Sequence, residues 1–423
     1  MMNEQGKGRN TVNIREYNRS LIIHALSRHG RMSRSDIAKT LSLSEAAISR
    51  IVRELIEDDL ISEAAPQGQA QGPGRRQVPL ALSVTSKFII SVCLTAFEHC
   101  VSIINLRGQQ LARSDLTDTL KGSGNTVVED LIDKIDGVLS ENNISKNKII
   151  GIGVVTIGAV DKRQGKICIS SIHVLNNQLI THKLGEFFKV PVYLGTIGEA
   201  LSIGEKVFSE KRPLEFNSVA PDPYKSKDAT LLIYIAFGIG AYVLINGIAH
   251  GNINDDRLIA HIPVLGADDL CLCGARGCLL TKASGYSLVK QSSGDEYRFA
   301  PILLDEIEPG KLLNLISRLN AGDKKIEDSF FAAGVVLGEA IFSLSVCFTL
   351  KTIVLSGVVG QVQAYQRGVS EGVKNMWRRL NIEPPFVRIN DLGYGAIAEL
   401  YSLEQVLFGE GDPIKTSIGI TSV

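Results

Sequence analysis

Ser33-Arg34-Ser35-Asp36-Ile37-Ala38-Lys39-Thr40-Leu41-Ser42-Leu43-Ser44-Glu45-Ala46-Ala47-Ile48-Ser49-Arg50-Ile51-Val52-Arg53 is the stretch on which the front of the chain turns. Ser33 and Asp36 have the spacing of a capping box, so a helix is expected to begin there. Ile37, Ala38 and Leu41 give that helix one apolar face. Ser42-Leu43-Ser44 is too short for anything but a tight turn, and Glu45 opens a second helix. Ile48, Ile51, Val52, Leu55 and Ile56 recur at helical spacing and make its inner stripe. A preceding helix carries Ile14, Tyr17, Leu21, Ile22, Ala25 and Leu26, and Gly30 ends it. Three helices, the last two joined by so short a turn, spell helix-turn-helix.

The outward face of the third helix carries Ser44, Ala46, Ala47, Ser49, Arg50 and Arg53. Small residues let a helix sink into the major groove. Ser can bond bases or phosphates, and Arg can reach phosphates or guanine. Leu60-Ile61 then starts an extended stretch broken by Gly68 and by Gly72-Pro73-Gly74, and Val78, Leu80 and Leu82 alternate as a returning strand. That reads as a wing whose Arg75 and Arg76 are offered to the minor groove or the backbone. Residues 1–82 hold 12 Lys and Arg against 9 Asp and Glu, an excess of +3. The alternative is a small helical domain whose outer face is merely solvated. The acidic run Glu57-Asp58-Asp59 stands at the far end of the third helix, away from its reading surface.

Beyond residue 82 the texture changes to runs rich in Val, Ile and Gly. Strands are expected at 88–94, 100–106, 149–157, 190–194 and 352–355, with a hairpin over 231–248. Helices are expected at 127–139, from Ala200 to Val207, and as one long buried helix from Ala332 to Leu350. The polar segment 209–228 reads as an exposed loop. Strands alternating with helices mean an α/β body, and no short repeat is evident.

The 423 residues are too many for one core, and 44% hydrophobic with 21% charged is globular composition. Lys plus Arg and Asp plus Glu are 45 each, which excludes a globally basic nucleic-acid binder but leaves room for a local basic face. The polar start, Met1 to Asn10, has no apolar run of a signal peptide. In the charge-free stretch Ala229 to Asn254 the apolar part, Leu231 to Ile245, is interrupted by Gly238 and Gly240 and falls short of the roughly 20 residues of a span. A soluble, cytoplasmic protein is the expectation.

The sharpest chemical signal is His261, followed after nine residues by Cys271-Leu272-Cys273 and, after four more, by Cys278. One imidazole and three thiolates form a closed tetrahedral set for Zn²⁺, which reads as structural rather than catalytic. Gly266, Gly274 and Gly277 let the loop wrap tightly. The alternative is three free cysteines beside a core histidine.

With these residues in hand, the chain resembles the ROK family (repressors, open reading frames, kinases) in its transcriptional-regulator branch. The carriers are the helix-turn-helix, the wing Gly72-Pro73-Gly74-Arg75-Arg76, and His261 with Cys271-Leu272-Cys273-Gly274-Ala275-Arg276-Gly277-Cys278-Leu279. The resemblance implies a winged helix on a two-lobed actin-like sugar-kinase module, often dimeric or tetrameric. The division expected is 1–82 for the DNA-binding head, 83–195 for the first lobe, 196–390 for the second lobe with its zinc loop, and 391–423 returning to the first lobe.

The family's kinase motifs are altered here. Its first phosphate loop, Asp-x-Gly-Gly-Thr, is replaced by Cys93-Leu94-Thr95-Ala96-Phe97, and Phe97 would obstruct a phosphate. The second, Gly-Thr-Gly-x-Gly, is replaced by Ala236-Phe237-Gly238-Ile239-Gly240. The Asn-Asp pair holding the base becomes Thr196-Ile197, and Ile197 cannot accept a proton. The sugar-gripping Glu-x-Gly-His becomes Leu258-Ile259-Ala260-His261, and the Glu after the cysteines becomes Leu280. Replacing a buried carboxylate by Leu or Ile turns a desolvation cost into packing. No kinase activity is expected. Gly158, Thr196, Glu199 and His261 remain as candidates for holding a sugar or sugar-derived effector. The expected function is a DNA-binding regulator of carbohydrate genes, with duplex operator DNA as its partner.

Overall fold

A computed structural model describes residues 11–64, 78–121, 124, 126–170, 172–211, 229–245, 248–250, 256–293 and 309–409. Helices α1 (Thr11–His29), α2 (Arg34–Leu41) and α3 (Glu45–Glu57) are followed by β1 (Ile61–Glu63) and β2 (Leu80–Leu82), which pair antiparallel with Ile61 opposite Leu82. The capping box forms: the Asp36 N–H donates to Ser33 Oγ at 3.1 Å and the Ser33 N–H to Asp36 Oδ2 at 3.3 Å. The wing tip, with Gly68, Gly72-Pro73-Gly74, Arg75 and Arg76, lies outside the described residues.

The body is built twice on one plan. The first sheet takes β3 (Phe88–Leu94), β4 (His99–Asn105), β5 (Gln110–Asp115), β6 (Ile149–Thr156) and, after the hairpin of β7 (Gly158–Asp161) and β8 (Lys166–Ser170), β9 (Val192–Thr196). Its order is β5-β4-β3-β6-β9: the first three strands form an antiparallel meander, and β6 and β9 add in parallel. The second sheet takes β10 (Ala229–Ile235), β11 (Ile239–Ile245), β12 (Ile248–His250), β13 (Leu350–Ser356) and β14 (Phe386–Ile389), ordered β12-β11-β10-β13-β14. Meander and parallel additions recur in the same places. This duplication is the two-lobed, actin-like architecture expected from the resemblance. It escaped the search for short repeats because each copy is a whole lobe.

Helices α4 (Val127–Glu141) and α5 (Ile180–Phe188) cover one face of the first sheet with Leu131, Ile135 and Leu184 fully buried. On the second sheet lie α7 (Leu280–Ala283), α8 (Gly285–Ser292), α9 (Pro309–Asn320), α10 (Lys324–Ile341), α11 (Gly357–Gly360) and α12 (Gln363–Arg379). Between the sheets run α6 (Ile197–Lys211) and α13 (Tyr394–Phe408). One dry cluster joins Cys93, Val155, Ile197, Leu232, Tyr234, Val354, Ile397 and Tyr401, so both sheets and both helices share it.

The long helix differs from expectation. It begins at Lys324, eight residues early, and ends at Ile341 before a short 3-10 turn over Phe342–Val346. Only one face is buried, and α12 is its main partner. Gly334 and Gly338 lie against the backbone of α12, and Gly368 and Gly372 of α12 lie against that of α10, so a Cβ at any of them would overlap a carbonyl oxygen. Lys324–Ser345 is the one described helical stretch long and apolar enough, by length and composition, to cross a bilayer. The strand expected at 190–194 falls at Val192–Thr196, and the helix expected from Ala200 starts at Ile197. In the expected hairpin the turn falls at Ala236–Gly238, while Asn246-Gly247 lies outside the described residues.

Candidate nucleic-acid face, metal loop and interlobe cleft

On α3 the buried stripe is Ile48, Ile51, Val52 and Leu55. The opposite face presents Ala46, Ser49, Arg50 and Arg53 exposed, and Ala47 half-buried. Ser44 is the N-cap: its Oγ accepts the Ala47 N–H at 3.3 Å, so this hydroxyl already serves the helix. Ser42 completes the turn in the left-handed region with φ of 54°. Arg50 and Arg53 form no ion pair with any described residue, whereas the acidic end of α3 is held by α1. Arg15 reaches Glu54 at 2.9 Å and Arg19 reaches Asp58 at 2.5 Å. The local acid is thereby partly neutralised by the protein's own cations, and the unpaired arginines stand over the outward face.

The four sequence-predicted metal ligands come together. The ligand atoms of His261, Cys271, Cys273 and Cys278 all lie within 4.8 Å of one another. His261 Nδ1 is 3.6 Å from Cys271 Sγ, and Cys273 Sγ is 3.7 Å from Cys278 Sγ. Zn–S bonds of about 2.3 Å in a tetrahedron place sulfurs roughly 3.8 Å apart, so the donor set fits that ion. The loop is pinned by the Cys271 N–H donating to Ala275 O at 2.8 Å and the Gly274 N–H to Cys271 O at 3.0 Å. Gly277 sits at φ 74°, and a Cβ there would press on Ala267 O. In the metal-free thiol form, burial pushes Cys278 up to about 12 and raises Cys271, while the backbone N–H of Ala275 lowers the exposed Cys273. A bound cation would draw all three toward thiolate.

The cleft is closed by side chains. Thr95 closes the turn between β3 and β4 into a tight hairpin: its Oγ1 donates to Glu98 O at 2.8 Å and its N–H to the same oxygen at 3.1 Å. Phe97 then stacks on Phe237 of the second loop with ring centroids 5.3 Å apart, and tilts on Tyr394 at 6.3 Å. Ile197 is 2% exposed and Leu280 7%, so both of these apolar side chains are core. Leu258 departs from this pattern. It is 60% exposed on a short 3-10 turn (Asp256–His261) and fills nothing.

The candidate effector residues are largely committed. Thr196, 3% exposed, shares a hydrogen bond with the Tyr242 hydroxyl at 3.1 Å, which ties β9 to β11. Glu199 pairs with Lys162 at 2.6 Å. Gly158 has φ of 123°, and a Cβ would clash with Ile169 O, so packing of β7 on β8 explains its lack of a side chain. His261 belongs to the cysteine cluster. Sequence reasoning missed the aromatic closure, although Phe97 and Phe237 were both in view. It also missed a buried clamp in which Glu205, 1% exposed, pairs with Arg388 and accepts from Asn390 Nδ2 at 2.7 Å. Neither has a local signal, because each joins residues far apart in the chain.

Comparison with known proteins adds the following. Residues 90–396 match the model described as the ROK family, and residues 15–62 match a winged helix-turn-helix DNA-binding model. The DNA-binding transcriptional dual regulator NagC of Escherichia coli (strain K12) is 24% identical over 355 residues, covering 82% of this chain and 81% of that one. The xylose repressor of Bacillus spizizenii is 26% identical over 312 residues, covering 73% and 75%. A ROK family transcriptional regulator described as a homologue of the E. coli Mlc protein superposes with a TM-score of 0.68 at 21% identity, covering 94% of this chain and 99% of that one. A ROK hexokinase from Thermus thermophilus gives 0.54 at 22%, covering 75% and 97%.

Proposed function

The chain belongs to the ROK family, and from that premise we propose that it is a DNA-binding transcriptional repressor of carbohydrate genes whose kinase-like body senses and does not phosphorylate. The observation that carries the second half is Phe97 stacked on Phe237, because the two loops that would cradle nucleotide phosphates close on each other instead. The repressors among its relatives and the unpaired arginines of α3 carry the first half.

In this reading the head spans 1–82, the lobes 83–195 and 196–390, and residues 391–423 return to the first lobe. The N-terminal half of α3, with Ser44, Ala46, Ala47, Ser49, Arg50 and Arg53, lies in the major groove. Arg75 and Arg76 reach the flanking minor groove. A homodimer or homotetramer in the cytoplasm presents paired heads to a palindromic operator. His261, Cys271, Cys273 and Cys278 hold a structural Zn²⁺, which cross-links the loop between β12 and α7. The effector is a sugar or sugar derivative bound between the lobes. Thr196 and Glu199 contact it only after Tyr242 and Lys162 release them, so opening is part of binding.

Selection of duplex DNA from a random pool by the full-length protein tests the reading, with ATP-dependent phosphorylation of a hexose panel run beside it. An enriched palindrome and no turnover above background are expected. Failure to enrich any sequence, or measurable hexose phosphate, overturns it.

A further inference from the structure

Helix α13 touches three bodies at once. At its N-terminal end the Gly395 N–H donates to Glu98 Oε2 at 3.0 Å, and the Val358 N–H of α11 donates to the Tyr394 hydroxyl at 3.1 Å. The Tyr394 ring lies 5.8 Å from Tyr234 and 6.3 Å from Phe97. Loss of hydration pushes the Tyr394 phenol up to about 12, so it stays neutral and keeps its acceptor role.

Along its middle, α13 presses on a row of strand glycines. A Cβ at Gly151 would sit 2.6 Å from Val406, one at Gly153 would overlap Ser402, and one at Gly195 would sit 2.5 Å from Tyr401. At its far end Leu403 and Phe408 leave the interlobe core and join the core of the head, with Ile22, Leu26, Ile51 and Leu80. Phe408 lies 4.2 Å, ring to ring, from His24 of α1. The helix is 15 residues long, which is about 21 Å at 1.5 Å per residue.

We infer that α13 is the element that couples the interlobe cleft to the DNA-reading head, with Tyr394 and Phe408 as its two positioning residues. The inference rests on the reading of residues 1–82 as a DNA-binding head. Packed side chains cannot deform continuously, and the glycine row leaves α13 no slack against the first sheet. A movement of the second lobe that pulls on the Val358–Tyr394 bond therefore carries α13 together with the first sheet and, through the Phe408–His24 ring contact, shifts α1. An effector that wedges the lobes apart would act on the operator by this route, and operator binding would favour the closed lobes in return.

The test is a double-mutant cycle on the full-length protein. Tyr394→Phe deletes the hydroxyl that bonds Val358 and Tyr234, both of the second lobe, and Phe408→Leu breaks the ring contact at the opposite end. His24→Ala breaks the same stack from the head side and serves where Phe408→Leu does not fold by circular dichroism. Two quantities are read: affinity for a DNA fragment selected by the wild-type protein, and amide hydrogen exchange across residues 20–26 without DNA. Tyr394→Phe should change affinity on the order of fivefold and alter exchange in α1, and both effects should vanish once the stack is cut. Unchanged affinity and exchange in Tyr394→Phe, or effects that simply add, overturn the coupling. If the wild-type protein selects no DNA, the regulator reading falls, and the exchange measurement alone still decides the coupling.

Discussion

Cys273 shows how a single side chain divides structure from chemistry. It is exposed while Cys271 and Cys278 are buried, so its removal leaves little void and isolates the loss of a ligand. Cys273→Ser should lose bound metal and lower the Tm of the second lobe, and full zinc occupancy by elemental analysis would contradict the assignment. Glu399 gives a residue-scale prediction with a sign. It lies on α13, its Oε1 is buried without a partner, and burial raises its carboxyl above the usual range, against a smaller lowering by the Ser102 hydroxyl. The folded state then binds the proton more tightly than the unfolded chain does. Stability is greatest below the unfolded pKa and falls as pH rises through the window up to the folded pKa. Glu399→Gln should raise Tm at pH 8 and flatten this acid-side gain, and an unchanged thermal profile between pH 4 and 8 would refute it.

Helix α3 separates folding from recognition along its own length. Ser44 caps it, so Ser44→Ala should cost about 1 kcal/mol of stability. Arg50→Ala and Arg53→Ala touch no described partner and should leave Tm unchanged while weakening operator binding. Gel shifts with unaltered affinity for both would remove this face from the interface. The seam between α10 and α12 predicts more. Gly338→Val drives a branched side chain into the Val369 carbonyl and should cost on the order of 3 kcal/mol, read by urea titration of the full chain. The apolar stripes of α1, α2 and α3 were legible because all three face one shared core. The bounds of α10 were not. An apolar run continues past Ile341, and only the Gly334 and Gly338 contacts with α12 fix which turns belong to the packed helix.

As a whole the molecule is two copies of one sheet topology, with α6 and α13 between them and a head resting on the end of α13. The clustered apolar residues between the lobes include Ile197, so this position is part of the core. Ile197→Asp should therefore not restore hexose phosphorylation and should destabilise by several kcal/mol, because a carboxylate there has neither water nor a cation. Turnover with ATP in that variant would mean the cleft is still a working one. The helix-turn-helix and the His/Cys cluster that could hold a metal were legible in short stretches of residues, where capping, period and ligand spacing act over a few positions. The pairing of Phe97 with Phe237, the clamp of Glu205 on Arg388, the commitment of Thr196 to Tyr242 and the reach of α13 from Val358 to His24 came from folding alone. Each joins residues separated by dozens to hundreds of positions, and a contact of that kind exists only once the chain has closed on itself.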